Sequence, residues 1–552
     1  MKKMVALALC ASMMFSTTVL ADETSGVDYY GFEEPVTVKI GLGSLSEFTY
    51  PEGTDATHNV WYDLYKEHNI LLDVLYEVNH SQEETKFSAA LMSGDYPDVF
   101  YVSASEYLNY VNNGVVADIT DLYEQYASDD LKEYVAADGG TAMEKATVDG
   151  KLYGIPYMSD YGYDLVPLLF IRQDWLDNLG LKAPTNLEEF KDVAHAFTYE
   201  DPDKDGKDNT YGFAVNGVDV LTGGMGSLNG FFQGFGVYMG TDGMNFMYDE
   251  NGEVEWGGDK AEEVKAALTT LQEMYQDGTI SKEFITMDSD SVNEDAGAGN
   301  VGMWIAPIWG AMGPISNIIK GNPDGHVTAV PIPDFSGKGD NKVLQENTIN
   351  QYCCVSSQCE NPEVLFKILN LDLQKLFSSN DAEEYQTYCN DVTWKMSVFR
   401  TMKPAKNYDN YLKGVVALET GDTSELNVEQ INNHNNMKAY LDAKESGDMD
   451  PEAPEISTGA QLYTVFGDPQ GSYAAIDQLV QNDNFIISCY QGPYTDVMAE
   501  TSSVLRKLTV ETIVKIITGD SMDTYDTFLE NWHLMGGDDA IAEAQSWIDS
   551  NK

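Results

Sequence analysis

Hydrophobic alternation and helical spacing follow one another along most of the chain. VTVKIGLGS, Val36 to Ser44, alternates apolar and polar positions and predicts a strand running into a loop. WYDLYKEHNI predicts a helix and LLDVLYEV a second strand. EETKFSAALMSGD has amphipathic helical spacing stopped by Gly94, and Asp98 to Val102 reads as a short buried strand. Strands alternating with helices at this spacing predict a mostly parallel α/β layer. Further on, the apolar run Leu165 to Ile171 predicts a strand that turns into a helix closing at Gly180. Pro184 to Phe197 offers Thr185 or Asn186 as a helix cap, with acids in the first turn. From Gly212 to about Asp242 the chain is rich in glycine and aromatic residues, a composition suited to long ligand-facing loops. LTVETIVKIITG and DDAIAEAQSWIDSN give helical patterns near the end. No internal repeat or heptad run is found, which excludes solenoids and coiled coils.

A chain of 552 residues is too long for one compact core, so two or more domains are expected. Charge changes the picture further: 32 basic against 90 acidic residues give −58 at pH 7. That field excludes nucleic acid and anionic membrane surfaces as partners, because both need a basic footprint. It also disfavours polyanionic sugars, unless a small basic pocket overrides it. The first residues read as a secretory signal peptide: Lys2 and Lys3, the apolar run VALALCASMMFSTTVL, and cleavage after Ala21. No other stretch approaches the roughly 20 apolar residues of a spanning helix. Leu9 just before Cys10, and the short apolar run, argue against a lipid-attachment cysteine. The remaining Cys353, Cys354, Cys359, Cys389 and Cys489 are odd in number and read as free thiols, with one disulfide left open.

DPDKDGKDNTYG, residues 201–212, is laid out like a calcium loop. Asp201, Asp203 and Asp205 stand at positions 1, 3 and 5, and Gly206 permits the sharp turn. Lys207 can offer its carbonyl and Asn209 an amide oxygen, but Gly212 replaces the closing glutamate. The reading is Ca²⁺ as a structural clasp, with a solvated acidic turn between helical segments as the alternative. A regulatory calcium switch would need paired flanking helices and a second loop.

Four segments carry a resemblance: LMSGDYPDVFYV, VDGKLYGIPY, LFIRQDWLDNLGLKAPTNLEEF and ENPEVLFKILN. Together with TVETIVKIITGD and FLENWHLMGGDDAI, they resemble the extracellular solute-binding proteins of ABC importers, in the oligosaccharide branch with long alginate-binding-like and lipoprotein-type members. The resemblance implies an α/β, two-lobed, periplasmic-binding-protein-like fold with a hinge and an interlobe ligand cleft. Its expected parts are a signal peptide (1–21), a tether (22–35), lobe 1 (36–163 and 345–395) and lobe 2 (166–340 and 400–552). The first crossing falls near Tyr161 to Val166. The implied protein is an extracytoplasmic monomer that is not an enzyme, with an oligosaccharide ligand and an ABC permease and ATPase as partners.

A sugar binder needs aromatic platforms for ring faces and carboxylates or amides for hydroxyls. Candidates in loop-like contexts are Trp61, Asp160, Tyr161, Tyr163, Trp304, Trp309, Tyr352 and Trp394. Trp175 and Trp532 read as core, and Arg172 with Asp174 as a structural ion pair. No GxSxG, HExxH or Walker A motif occurs, and the seven histidines lack metal spacing. A peptide-binding importer subunit is the main alternative, and a secreted carbohydrate-active enzyme a lesser one.

Overall fold

A computed structural model describes residues 27–44, 50–79, 82–158, 162–339, 342–345, 349–378, 380–390, 392–399 and 406–550. Two separate hydrophobic cores organise them. One runs from Val38 to Met158 and again from Tyr352 to Phe399; the other from Val166 to Val343 and from Met437 to Ile548. The chain therefore passes between lobes after Met158, after Leu344 and after Phe399.

In the first lobe the strand Val36–Ser44 pairs in parallel with Ile70–Asn79, and the helix Val60–Glu67 makes the crossover. Asn59 caps that helix by accepting the Trp61 N–H at 3.0 Å. The helix buries Trp61, Leu64 and Tyr65. The strand Ile349–Val355, arriving from the other lobe, lies between Val99–Ser103 and Gly154–Met158 and runs antiparallel to both. The second lobe repeats this plan. Leu168–Arg172, arriving from the first lobe, lies antiparallel between Val327–Pro331 and Val301–Ala306. Tyr211–Phe213 then adds in parallel to Val301–Ala306. The mostly parallel layer expected from the sequence is thus corrected. Helical crossovers within a lobe give parallel pairs, whereas a strand delivered from the opposite lobe enters from the other end.

Local chemistry sets several boundaries. The strand begins at Leu168, not Leu165, because Tyr163–Leu165 forms a 3₁₀ turn and Pro167 has no N–H to give a ladder. Asn186 caps the helix Leu187–Tyr199 by accepting the Glu189 N–H at 3.0 Å, while Thr185 donates its N–H and hydroxyl to the Glu189 carboxylate. Arg172 grips Asp174 with two hydrogen bonds, at 2.8 and 2.6 Å, and lies over the Trp175 ring. Trp532 stacks on Trp256 with ring centroids 4.3 Å apart, locking the C-terminal helices onto the second core. The acidic stretch read as a tether is docked from Asp28 onward. Asn370 donates to the Tyr29 carbonyl at 2.8 Å, and Lys367 to that of Gly31 at 2.7 Å. All five cysteines from Cys353 to Cys489 are free thiols. Among the described residues no helix is long and apolar enough to cross a membrane.

Candidate functional site

Between the two cores lies a cavity of 570 Å³, within the range of small-molecule sites. Both lobes and two crossing segments line it. The first lobe contributes the start of the helix Ala104–Asn112, the segment around Lys145 to Asp149, and Tyr352. The second contributes Gly240 to Asp242, Met244 to Phe246 and the turn Tyr490 to Tyr494. Leu165 and Gln345 come from the crossings. At one rim the helix Ala104–Asn112 meets the helix Asp496–Ile517, where the Asn112 amide donates to Asp496 at 3.3 Å.

The first-lobe wall is aromatic. Tyr107 and Tyr352 stack with centroids 4.0 Å apart and planes 21° from parallel. The Tyr107 hydroxyl donates to the Ala146 carbonyl at 2.7 Å, which fixes the backbone beside Lys145. On the second-lobe wall Tyr490 packs its edge against Trp547 and Phe246. The Tyr494 hydroxyl donates to the Asp242 carboxylate, which also accepts the Met244 N–H at 2.9 Å. Arg506 supports this wall from behind: its Nε donates to the Thr241 carbonyl at 2.8 Å, and its guanidinium holds Asp219 at 2.8 and 2.9 Å. Among the described residues lining the cavity, Lys145 is the one lysine or arginine. It is 3% exposed, and its ammonium has no hydrogen-bond partner. Burial pushes its pKa down to about 8, against an upward pull from Asp138 and Glu144.

The sequence candidates divide sharply. Tyr352 lines the cavity. Tyr163 lies close to the first crossing but packs on Tyr408 and Phe485, at 5.5 and 5.6 Å, away from the lining. Trp61 and Trp304 are corrected: both are 0% exposed core residues with no free ring face. Their indole N–H groups donate to the Thr393 and Gly310 carbonyls, each at 2.8 Å. Trp309 and Trp394 are 40% and 37% exposed but do not line the cavity. Asp160 and Tyr161 lie outside the described residues. Sequence reasoning missed Tyr107, Lys145, Gln345, Tyr490 and Tyr494. YQGPY, with a Gly-Pro turn between two tyrosines, was a readable signal for a ligand-facing loop; a single lysine in an ordinary short helix was not.

The aspartate loop lies away from this cavity and joins a helix to a strand, not two helices. Asp201, Asp203 and Asp205 each bring a carboxylate oxygen within 4.8 Å of the others. Gly206 takes φ +75°, and its N–H donates to Asp201 at 3.2 Å. Burial, with Asp205 and Asp201 adding to it, raises the Asp203 pKa. This all-oxygen cluster fits a hard cation such as Ca²⁺. Two features oppose tight binding. The Lys207 ammonium pairs with Asp205 at 2.6 Å, and the Asn209 amide points a donor at the same carboxylate at 3.4 Å. Gly212 has a packing reason for replacing the closing glutamate. A Cβ there would come within 2.2 Å of the Ala194 carbonyl oxygen, because strand and helix cross at backbone contact.

Comparison with known proteins agrees with this architecture. The family model for bacterial extracellular solute-binding proteins matches residues 50–371. The polygalacturonan/rhamnogalacturonan-binding protein YtcQ of Bacillus subtilis is 30% identical over 244 residues, 43% of this chain and 44% of that one. The chain thus matches under half the length of that curated relative. The alginate-binding protein AlgQ2, solved without calcium ion, superposes with a TM-score of 0.63 at 17% identity, covering 94% of this chain and 99% of that one. An EF-hand mutant of the ABC-transporter substrate-binding protein FusA of S. pneumoniae, in complex with fructo-nystose, gives 0.62 at 16% identity, covering 94% and 100%. These likenesses establish the two-lobed solute-binding fold. With the family model covering more than half of its residues, the chain belongs to the bacterial extracellular solute-binding protein family.

Proposed function

We propose that the chain is the solute-binding component of an ABC importer and captures an oligosaccharide between its lobes. The observation that carries this reading is the make-up of the interlobe cavity. Tyrosine and phenylalanine rings stand beside Asp242, Asn245, Gln345 and Gln491, which suits a ligand with apolar ring faces and a belt of hydroxyls. The relatives are binding proteins, named for polygalacturonan and rhamnogalacturonan in one case and for alginate in another. Capture works by differential affinity: a ligand touching both walls favours the closed arrangement over the open one. The closed form then presents both lobes to a membrane permease served by an ATPase, with the protein acting as a monomer outside the cytoplasm. Tyr490 and Tyr494, both half-buried, are the proposed ring contacts, backed across the cavity by the buried Tyr107–Tyr352 stack, and Asp242 and Asn245 the proposed hydroxyl partners.

The aspartate loop is proposed as a calcium clasp, with Asp201, Asp203 and Asp205 as carboxylate ligands, Lys207 through its carbonyl and Asn209 through its amide oxygen. Bound there, the ion would neutralise three crowded carboxylates and tie the helix end to the strand that follows.

A thermal-shift panel of neutral, acidic and amino oligosaccharides and a peptide mixture tests the reading. A ligand at 100 times its Kd stabilises by about 2.7 kcal/mol, a visible rise in Tm. A rise with a glycan class supports oligosaccharide capture. A rise with peptides alone transfers the assignment to peptide import.

A further inference from the structure

Resting on the reading of oligosaccharide capture between the lobes, we propose that Tyr163 and Asp164 are positioning residues for that capture. They form a hub that fastens the second-lobe ends of all three crossings to one another, although neither lines the cavity. Both lie in the 3₁₀ turn Tyr163–Leu165 of the first crossing. The half-buried Asp164 carboxylate reaches the third crossing, where it accepts the Asn407 amide at 3.1 Å. Asn407 stands in the first turn of the helix Lys406–Thr420, the first described element after Phe399. The same carboxylate accepts the Tyr473 hydroxyl at 2.6 Å. Tyr473 is 0% exposed, on the helix Ser472–Gln481 of the second core, so it anchors both crossings to that lobe. The Tyr163 ring packs on Tyr408, the residue after Asn407, at 5.5 Å, and on Phe485 at 5.6 Å. Phe485 leads to the second crossing: the strand Phe485–Ile486 pairs in parallel with Val343–Leu344, and the Gln345 N–H donates to the Ile486 carbonyl at 2.9 Å. Two consecutive residues thus touch the supports of all three crossings.

Two consequences follow for capture. Leu165 and Gln345 line the cavity, and each is the next residue after a hub attachment, Asp164 in one case and Leu344 in the other. The hub therefore sets where both stand. Hinge rotation is absorbed by a few residues at the ends of elements. With Asp164, Asn407 and Leu344 all held to the second lobe, these crossing ends move with that lobe. Three unfastened ends would spread the ligand-free protein over arrangements in which the two walls do not face one another. Apparent affinity falls in proportion to the fraction that is competent to bind. The chemistry explains the residue types. A carboxylate accepts two donors at once through charge-assisted bonds, and a ring at position 163 meets two other rings without any polar group having to be paired. Tyr163, expected from the sequence to face the sugar, acts behind the cavity instead.

The test is calorimetric titration of the mature chain with xylo-, galacto- and chito-oligosaccharides and oligogalacturonides, followed by small-angle X-ray scattering with and without the tightest binder. Asp164→Ala and Tyr163→Ala are each expected to weaken the Kd about tenfold, as when the competent fraction drops to about a tenth. Both should raise the ligand-free radius of gyration and leave that of the bound form at the wild-type value. The exchange of Asp164→Asn with Asn407→Asp restores the amide-to-carboxylate bond with its roles reversed, and should recover affinity to within about threefold. Tyr525→Phe is the control for general destabilisation. It removes a 2.7 Å hydrogen bond to the Gly258 carbonyl from the helix Asp523–Trp532, which holds no part of the hub, and should lower Tm without changing the Kd. An unchanged Kd in both alanine variants overturns the inference, as does a loss of affinity in Tyr525→Phe that matches theirs. Should Asp164→Ala fail to fold, Asp164→Asn is compared with the exchange, and equal affinity of the two overturns it. No binding of any glycan by the wild type removes the oligosaccharide reading itself, and this inference with it.

Discussion

Lys145 makes a strong prediction about the ligand-free protein. Its side chain is 3% exposed and unpartnered, and its pKa is about 8 in the fold against an ordinary value of 10.5. That depression corresponds to about 3 kcal/mol by which the charged form destabilises the folded state. Lys145→Met keeps the length of the side chain and removes the charge, so the variant is expected to be more stable than wild type by about 2–3 kcal/mol at neutral pH. The linkage gives a signature in pH. Below about 8 the lysine is protonated in both folded and unfolded states, and the full cost is present. Between about 8 and 10.5 the folded state releases the proton while the unfolded state keeps it, so wild-type stability rises with pH relative to the variant. Near pH 10.5 the two should be equal. Paired urea titrations of wild type and variant, followed by circular dichroism across this range, cancel every other titrating group. The transition of the lobe carrying Lys145 is the one to compare. No difference at neutral pH would mean that the ammonium is already solvated or paired. A difference persisting at pH 10.5 would mean that the gain comes from methionine packing and not from charge.

Other outcomes follow from particular residues. Asp203→Ala is expected to abolish a calcium-induced rise in Tm, worth about 2.7 kcal/mol at 100 times the Kd, while leaving glycan affinity within a few-fold; unchanged stability in calcium would contradict the clasp. Asp372 is fully buried, and accepts from the Tyr65 hydroxyl at 2.7 Å and the Ser397 hydroxyl at 3.3 Å, with burial raising its pKa well above 3.8. A raised carboxyl favours the fold at low pH and loses that advantage as pH climbs past 3.8. Asp372→Asn should therefore raise Tm at pH 7 and match wild type near pH 4, and a lower Tm at pH 7 would sink this account. Gly212→Ala drives a Cβ to within 2.2 Å of the Ala194 carbonyl oxygen and should cost about 1–3 kcal/mol in urea. A silent substitution would show that the helix and strand can separate freely.

Much of the fold was legible because strands and helices here obey simple periods. Val36–Ser44 and Ile70–Asn79 appear where alternation placed them, and the helix caps at Asn186 and Gly180 follow from side-chain chemistry. Strand direction was not legible. Nothing in INQYCCV or LLFIR records that each arrives from the opposite lobe and takes a central, antiparallel place. The site was less legible for a different reason. A tryptophan serves a core and a sugar platform equally well, so Trp61 and Trp304 carry the same sequence signal as a ligand contact. What separates them is the partner of the indole N–H, here a backbone carbonyl inside each core. Lys145 has its meaning only in three dimensions, because its significance is the absence of a partner.

The central claim is that an oligosaccharide occupies the cavity between the lobes. Ala104 lines that cavity at the start of its helix, so Ala104→Trp places a large ring inside the 570 Å³ space. Calorimetric titration of wild type and this variant, with the glycan that raises wild-type Tm most, tests the claim directly. The account predicts one site per chain in the wild type and loss of binding in a variant that still folds with a wild-type Tm. Equal affinity in both proteins would put the ligand elsewhere and contradict it.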